Sequence, residues 1–146
     1  MPIEEPQELL VLDSQLAELR RAQSWAEALA NRLCLRENTR YAIRLCLEEA
    51  LANVILHGYQ DKPGYPVVIR WSLSLDTLFF AVEDKAPHFN PVDTPLPSGG
   101  SECAGLESLI PGGNGVRLLR KFAGSLAYER LSDGNRLTIG FSISVS

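Results

Sequence analysis

The sequence predicts an α+β fold, a two-layer sandwich in which a mixed, mostly antiparallel sheet is covered on one face by helices. Three observations point there. β-rich runs come in neighbouring pairs around turn residues, as hairpins do. Helical patterns come in blocks between those runs and do not alternate with single strands, which disfavours a parallel α/β sheet. No internal repeat or interdomain linker interrupts the order strand, two helices, hairpin, long loop, helix, hairpin.

From the N-terminus, "ELLVL" (8–12) follows a short proline-bearing tail and reads as a strand. Asp13 or Ser14 is placed to cap a long helix reaching about Leu33, with apolar residues at Leu16, Leu19, Trp25, Leu29 and Leu33. "LRENT" ends it. Asn38 or Thr39 can cap a second helix running to about Gly58, where glycine suits the position just past a helix end. "DKPGYP" (61–66) is a turn, and "VVIRWSLSL" and "LFFAVED" form a hairpin around Asp76 and Thr77. From Lys85 to Gly113 the pattern dissolves into a stretch holding five of the nine prolines. A connection this long inside a compact domain is expected to be a functional loop or lid. "NGVRLLRKFAG" gives a short helix stopped by Gly124, and "SLAYERL" and "RLTIGFSISV" flank "SDGN" as a second hairpin.

At 146 residues and 45% hydrophobic content, the chain has the length of one domain, 1–146, able to bury a core without staples. The formal charge of −4, with basic residues interspersed among acids, argues against direct nucleic-acid binding. Cys34, Cys46 and Cys103 are odd in number and form no Cys-x-x-Cys pair, so reduced thiols are expected instead of a disulfide framework or zinc site. "MPIEEPQELL" has acids and prolines where a signal peptide needs a basic start, and no run approaches the ~18 apolar residues of a membrane span. A cytoplasmic protein with no membrane contact is expected.

Three stretches carry chemistry. In "LEEALANVILHGY" (47–59), Glu49, Asn53 and His57 recur at steps of four and fall within about 80° of one another on a helical wheel. Leu47, Leu51, Val54 and Ile55 lie opposite. The line fits either a solvent-facing stripe or a site. Asparagine is a poor mid-helix residue, and no Lys or Arg occurs between Cys46 and Gln60, which speaks for the site. A carboxylate and an amide one turn apart suit Mg²⁺ and a phosphate, because the amide oxygen ligates the hard cation while the carboxylate accepts a proton from an attacking hydroxyl. Glu48 is about 100° from Glu49 and belongs to another face.

In "VEDKAPHFNP" (82–91), an apolar strand ends at Asp84. Such an acid is commonly a turn former. Buried, it would accept a hydrogen bond from an exocyclic amine, with Phe89 as an apolar wall. In "PGGNGVRLLRKF" (111–122), Gly112, Gly113 and Gly115 precede a helix. Glycines before a helix are often only a loop, but they also let the backbone approach phosphate at the helix N-terminus. No Gly-Lys-Ser/Thr follows, so this is not a P-loop. Arg117 and Lys121 either add charge there or form a solvated helix face.

In this order the three stretches resemble the Bergerat-fold GHKL ATPase superfamily, and within it the histidine-kinase-like ATPase domain of RsbW-type anti-sigma factors, which are serine-protein kinases. The resemblance covers nearly the whole chain. "EEALANVILHGY" is similar to that branch's Glu-Ala-x-x-Asn-Ala-x-x-His-Ala/Gly-Tyr box, "VEDKAPHFNP" to its Asp-x-Gly-x-x-Phe-x-Pro box, and "PGGNGVRLL" to its Gly-Gly-x-Gly-hydrophobic box. "AYERLSDGNRLTIGF" resembles the closing Tyr-x-Arg-x-x-x-Gly-Asn-x-Leu hairpin. The resemblance implies Glu49 as catalytic carboxylate, Asn53 as Mg²⁺ ligand, and Asp84 as acceptor for the adenine amino group, with Phe89 beside it. It implies Gly112, Gly113, Gly115 and Val116 as the box that closes a lid, at about 91–113, over the phosphates of ATP. Two positions depart from the pattern. Ala86 stands where the second box usually has glycine, so a left-handed backbone there would be strained; Asn114 replaces a usual aliphatic residue.

The resemblance further implies phosphorylation of a serine on a STAS-domain anti-sigma factor antagonist, a sigma factor as competing ligand, and a homodimer, which the branch often forms. The competing expectation is a nucleotide-gated regulator that binds its partner without phosphotransfer. The presence of both Glu49 and Asn53 favours the enzyme.

Overall fold

The computed structural model describes residues 8–86 and 113–143, with the backbone alone for 113–117. Most of the lid stretch, with Phe89 and Gly112, lies outside the described residues. Period-two alternation builds the sheet: in β2 (Pro66–Ser74) Val67, Ile69 and Trp71 point inward, and in β3 (Thr77–Asp84) Leu78, Phe80, Val82 and Asp84 do so. With β1 (Leu9–Asp13), β4 (Ser125–Leu131) and β5 (Gly134–Ser142) they form a five-stranded sheet in the order β1-β2-β3-β5-β4. Every pairing among these strands is antiparallel, so within the described residues the mostly antiparallel sheet that was expected is antiparallel throughout.

Helices α1 (Leu19–Arg32), α2 (Glu37–Asn53) and α3 (Gly113–Phe122) join the inward residues in one hydrophobic core. Phe80, fully buried at the centre of the sheet, meets Trp25 of α1 and Phe141 of β5 edge-on, with ring centroids 6.2 and 6.0 Å apart. Burial of such a side chain contributes about 1.5–3 kcal/mol, and edge contacts add to that. The outward face is polar toward β4, where Arg136 bridges Glu83 (3.0 Å) and Glu129 (2.8 Å) across three strands.

Several local expectations are corrected. Asp13 and Ser14 do not cap α1. A single 3₁₀ turn (Leu16–Glu18) leads into the helix, and Glu18 Oε1 accepts the Asp13 N–H at 2.9 Å. Asp13 and Ser14 instead pin the 62–65 turn: Gly64 N donates to Asp13 Oδ1 (2.9 Å), Tyr65 N donates to Ser14 Oγ (3.1 Å), and that hydroxyl donates to Lys62 O (2.6 Å). These partners are distant in sequence. Of the expected apolar face, Leu29 is buried and Leu19, Trp25 and Leu33 pack partly buried against the core, while Leu16 is exposed; the other buried positions of α1 are Ala22, Ala26 and Ala30. These small residues let α1 sit close to its neighbours. α2 starts at Glu37, ahead of Asn38 and Thr39, and its N-cap Arg36 makes no side-chain cap bond. The end of α1 is closed from the next helix: the Arg40 guanidinium donates to Leu35 O (2.9 Å), Ala30 O (3.3 Å) and Asn31 Oδ1 (2.7 Å). The first hairpin turns one residue earlier than expected, at Leu75 and Asp76, with Ser74 paired to Thr77.

Among the described residues no helix is long and apolar enough to cross a membrane. Cys34 is exposed, whereas Cys46 is fully buried in α2, and burial, with Glu49 as the smaller cause, pushes its thiol up to about 12. Since the thiolate is the reactive species, iodoacetamide near neutral pH is expected to label Cys34 in the native protein and to spare Cys46 until denaturant is added. Peptide mass spectrometry reads this directly; equal native labelling of both would contradict the packing of α2.

Candidate functional site

The line read from "LEEALANVILHGY" is not a wet stripe. Glu48 is exposed, Glu49 is half-buried, and Asn53, one turn on, is only 2% exposed. Burial, followed by the neighbouring Glu48 charge, raises the Glu49 carboxyl above the ordinary glutamate range. Asn53 Nδ2 is buried with no hydrogen-bond partner. An amide left so costs about 1–3 kcal/mol, a cost that a bound ligand would remove. Trp71 Nε1, in the core on β2, is the other such atom among the described residues.

Directly after Asn53 the helix widens into a π-turn (Val54–Gly58), closed by Tyr59 N donating to Val54 O at 2.8 Å. Insertions of this kind often mark functional positions. The wider turn displaces His57, which is half-buried, from where a continued α-helix would carry it. Gly58 does not terminate the helix in a left-handed conformation; Gln60 (φ 55°) and Asp61 (φ 61°) do. Gly58 answers a packing demand instead. A Cβ there would come within 3.2 Å of the Cβ of Ala86, so the end of α2 abuts the segment after β3. Ala86 itself is buried and is not among the residues with positive φ, so alanine in place of glycine carries no backbone strain at this position.

Tyr59 locks the same junction. Its hydroxyl donates to Pro66 O (2.7 Å) and accepts from Lys85 N (2.7 Å), and its ring stacks on Tyr65 at 4.9 Å. The box containing Asn53 and the box containing Asp84 are thereby held side by side.

Asp84 is 8% exposed at the inner end of β3. It is no mere turn former. Oδ1 accepts from Ala86 N (2.8 Å) and from Asn135 Nδ2 (2.9 Å), while neither bond uses Oδ2. Burial raises its carboxyl above the usual range, against the lowering effects of Asn135, Ala86 N and the Arg130 charge. Asn135, 3% exposed, also donates to Ala86 O (3.1 Å); its Oδ1 accepts from Tyr128 Oη and from Arg130 Nη1 (3.2 Å).

The third box differs from its sequence reading. Gly113 and Gly115 do not precede the helix; with Val116 they lie in the opening turn of α3, where backbone N–H groups lack acceptors inside the helix. α3 packs on α2, the helix carrying Glu49 and Asn53. Lys121 Nζ lies 5.5 Å from the Phe122 ring centroid. The side chain of Arg117 lies outside the described residues.

Among the described residues there is no cluster of three His, Cys, Asp or Glu that could hold a metal by itself. Mg²⁺ does not require one, since it is commonly held by one or two protein oxygens together with substrate phosphates. Rotating the Asn53 amide by half a turn exchanges Nδ2 for Oδ1 and presents the hard oxygen at the unpartnered position. The donor set fits such a shared ion.

Sequence reading assigned no role to Tyr59, Tyr128, Arg130 or Asn135. The signal was present in the hairpin: with Leu131 paired to Gly134, alternation puts Tyr128, Arg130 and Asn135 on the core-facing side, where polar residues need a reason.

Comparison with known proteins concerns the family and the fold. Residues 12–141 match the family described as the histidine kinase-like ATPase domain. The chain is 30% identical over 117 residues to the serine/threonine-protein kinase BtrW of Bordetella bronchiseptica, covering 79% of each chain. It also superposes on the histidine kinase domain of the blue-light activated histidine kinase EL346 from Erythrobacter litoralis, with a TM-score of 0.52 and 20% identity over 88% of this chain. It spans 60% of that second protein, so the likeness concerns the fold. A buried amide and carboxylate at one end of an antiparallel sheet, a glycine-started helix beside them, and a match over nearly the full length have one reading: the chain belongs to the histidine kinase-like ATPase domain family.

Proposed function

We propose that the chain is an ATP-dependent serine-protein kinase and anti-sigma factor, which phosphorylates a serine on a STAS-domain anti-sigma factor antagonist and, in its other complex, sequesters a sigma factor. The observation that carries the reading is the buried Asn53 amide with an unpartnered Nδ2, one helical turn from a half-buried Glu49 whose carboxyl is raised. The similarity to BtrW supports the kinase class, and the resemblance of the boxes supports the partners, a cytoplasmic setting and a homodimer.

In this reading Asp84 Oδ2 accepts the adenine amino N–H, and the opening turn of α3, with Gly113, Gly115 and Val116, donates backbone N–H groups to the phosphates. Gly112 and Phe89, which lie outside the described residues, are assigned to nucleotide binding by the resemblance alone. Asn53 would hold Mg²⁺ through its amide oxygen, and the ion would supply neutralisation of phosphate charge. Glu49 accepts the proton of the serine hydroxyl as its oxygen bonds to the γ-phosphorus and the bond to the β–γ bridging oxygen breaks, leaving ADP. Such a transfer asks the protein chiefly for alignment and charge.

The test incubates the chain with Mg²⁺, γ-labelled ATP and the STAS-domain protein encoded beside its gene. Label is expected on a serine of that protein. A stable complex with no transfer would replace the kinase with a nucleotide-gated binding protein.

A further inference from the structure

The hairpin β4–β5 reaches Asp84 through Asn135, a residue of the closing-hairpin pattern to which the resemblance gives no role. Asn135 sits at the core-facing start of β5, opposite Asp84 in the β3–β5 register. A primary amide has two faces that can exchange by rotation. Here both are committed. Tyr128 Oη and Arg130 Nη1, two donors, engage the Asn135 carbonyl oxygen, which turns the NH₂ toward Asp84 Oδ1 and Ala86 O. A donor facing Oδ1, joined by the Ala86 N–H on the same oxygen, favours the ionised carboxylate and leaves Oδ2 for a ligand.

We propose that Asn135 is a specificity-determining positioning residue: oriented by Tyr128 and Arg130, it keeps Asp84 an acceptor-only carboxylate, so that the site selects 6-amino over 6-oxo purine nucleotides. The inference rests on the assignment of Asp84 to the adenine amine. An ionised carboxylate accepts and cannot donate. It therefore pairs with an amine N–H and repels a carbonyl oxygen at the same place. Without the Asn135 NH₂ the carboxyl can rotate or take up a proton, and a protonated carboxyl can donate to a 6-oxo group. The discrimination, and not only the affinity, is what the amide sets.

The experiment titrates Mg·ATP and Mg·ITP into wild type, Asn135→Ala, Tyr128→Phe and Asp84→Asn by calorimetry, with thermal melts of each protein in the absence of nucleotide. Wild type is expected to prefer ATP. Asn135→Ala is expected to shrink the ATP/ITP preference by roughly tenfold, the scale of one hydrogen bond to a charged group. Tyr128→Phe, which keeps the ring and removes only the hydroxyl, should move the ratio in the same direction by about threefold. A purely structural role would lower melting temperature and leave the ratio alone. Folded Asn135→Ala and Tyr128→Phe proteins with the wild-type ratio, beside an Asp84→Asn protein that has lost it, would overturn the inference and leave the adenine assignment standing. If Asn135→Ala fails to fold, Tyr128→Phe decides the matter. Unchanged affinity and ratio in Asp84→Asn would remove Asp84 from the base and the inference with it.

Discussion

Glu49→Gln is expected to lower phosphoryl transfer to the partner serine by about 10³-fold and to leave ATP affinity within about threefold, the pattern of a group that acts in the transition state. Glutamine keeps the shape and hydrogen-bonding reach of the side chain but cannot take the proton. The pH dependence follows from the raised Glu49 carboxyl. Transfer requires the ionised form, so the rate should fall as pH drops through a value above the ordinary glutamate range. The stability linkage has the opposite sense. A carboxyl whose folded pKa lies above its unfolded one binds its proton more tightly when folded, so its contribution is present below the unfolded pKa and is lost as pH rises through the folded one. At neutral pH the charged Glu49 therefore works against the fold, and Glu49→Gln should melt at the wild-type temperature or above it. A variant both inactive and at least as stable is what a functional carboxylate predicts. Loss of activity together with a large fall in melting temperature would assign Glu49 to the scaffold instead.

Gly134→Ala is expected to cost about 3 kcal/mol or more, a fall of roughly 10 °C in melting temperature, and to abolish ATP binding. A Cβ at this position would lie 1.8 Å from Asp84 O and 2.9 Å from Asp84 C, both backbone atoms that cannot step aside. The constraint is one of space; Gly134 is not among the glycines with positive φ. Relief requires opening the pairing of Asp84 with Asn135, which displaces the carboxylate and its NH₂ donor together. Gly58→Ala provides the contrast, since its Cβ would meet the Ala86 methyl at 3.2 Å and Val54 Cγ1 at an ordinary 4.0 Å, and a shift of a few tenths of an ångström relieves the first. The melting temperature of Gly134→Ala equal to that of Gly58→Ala would contradict the close approach of the hairpin turn to β3.

The parts of the fold legible in the sequence were those written in local patterns. Alternation in "VVIRW" and "LFFAVED" located β2 and β3, and the "SDGN" turn located the second hairpin. Helix ends were less legible because their partners are remote: Asp13 and Ser14 spend their side chains on the 62–65 turn, and α1 is closed by Arg40 from the following helix. The π-turn after Asn53 could not be read from periodicity, since a single widened turn leaves the apolar pattern of "NVILHGY" almost unchanged. For the site, spacing alone left Glu49 and Asn53 undecided between stripe and function, and burial removes the solvent-facing reading of Asn53, which is 2% exposed. The role of Asn135 depends on which strands lie beside which. β5, not β4, is the neighbour of β3, and that adjacency across more than fifty residues of chain is a property of the sheet order.

The proposed function depends on Asn53 joining the protein to a Mg²⁺–nucleotide complex, and calorimetric titration of ATP into wild type and Asn53→Ala, each with Mg²⁺ and with EDTA, tests this most directly. Wild type is expected to bind ATP at least about tenfold more tightly with Mg²⁺ than with EDTA, and Asn53→Ala to bind equally weakly in both. The unliganded Asn53→Ala protein should be no less stable than wild type, because the substitution removes a buried amide atom that has no partner. Mg²⁺-dependent binding that survives intact in Asn53→Ala, or wild-type affinity indifferent to Mg²⁺, would contradict the assignment.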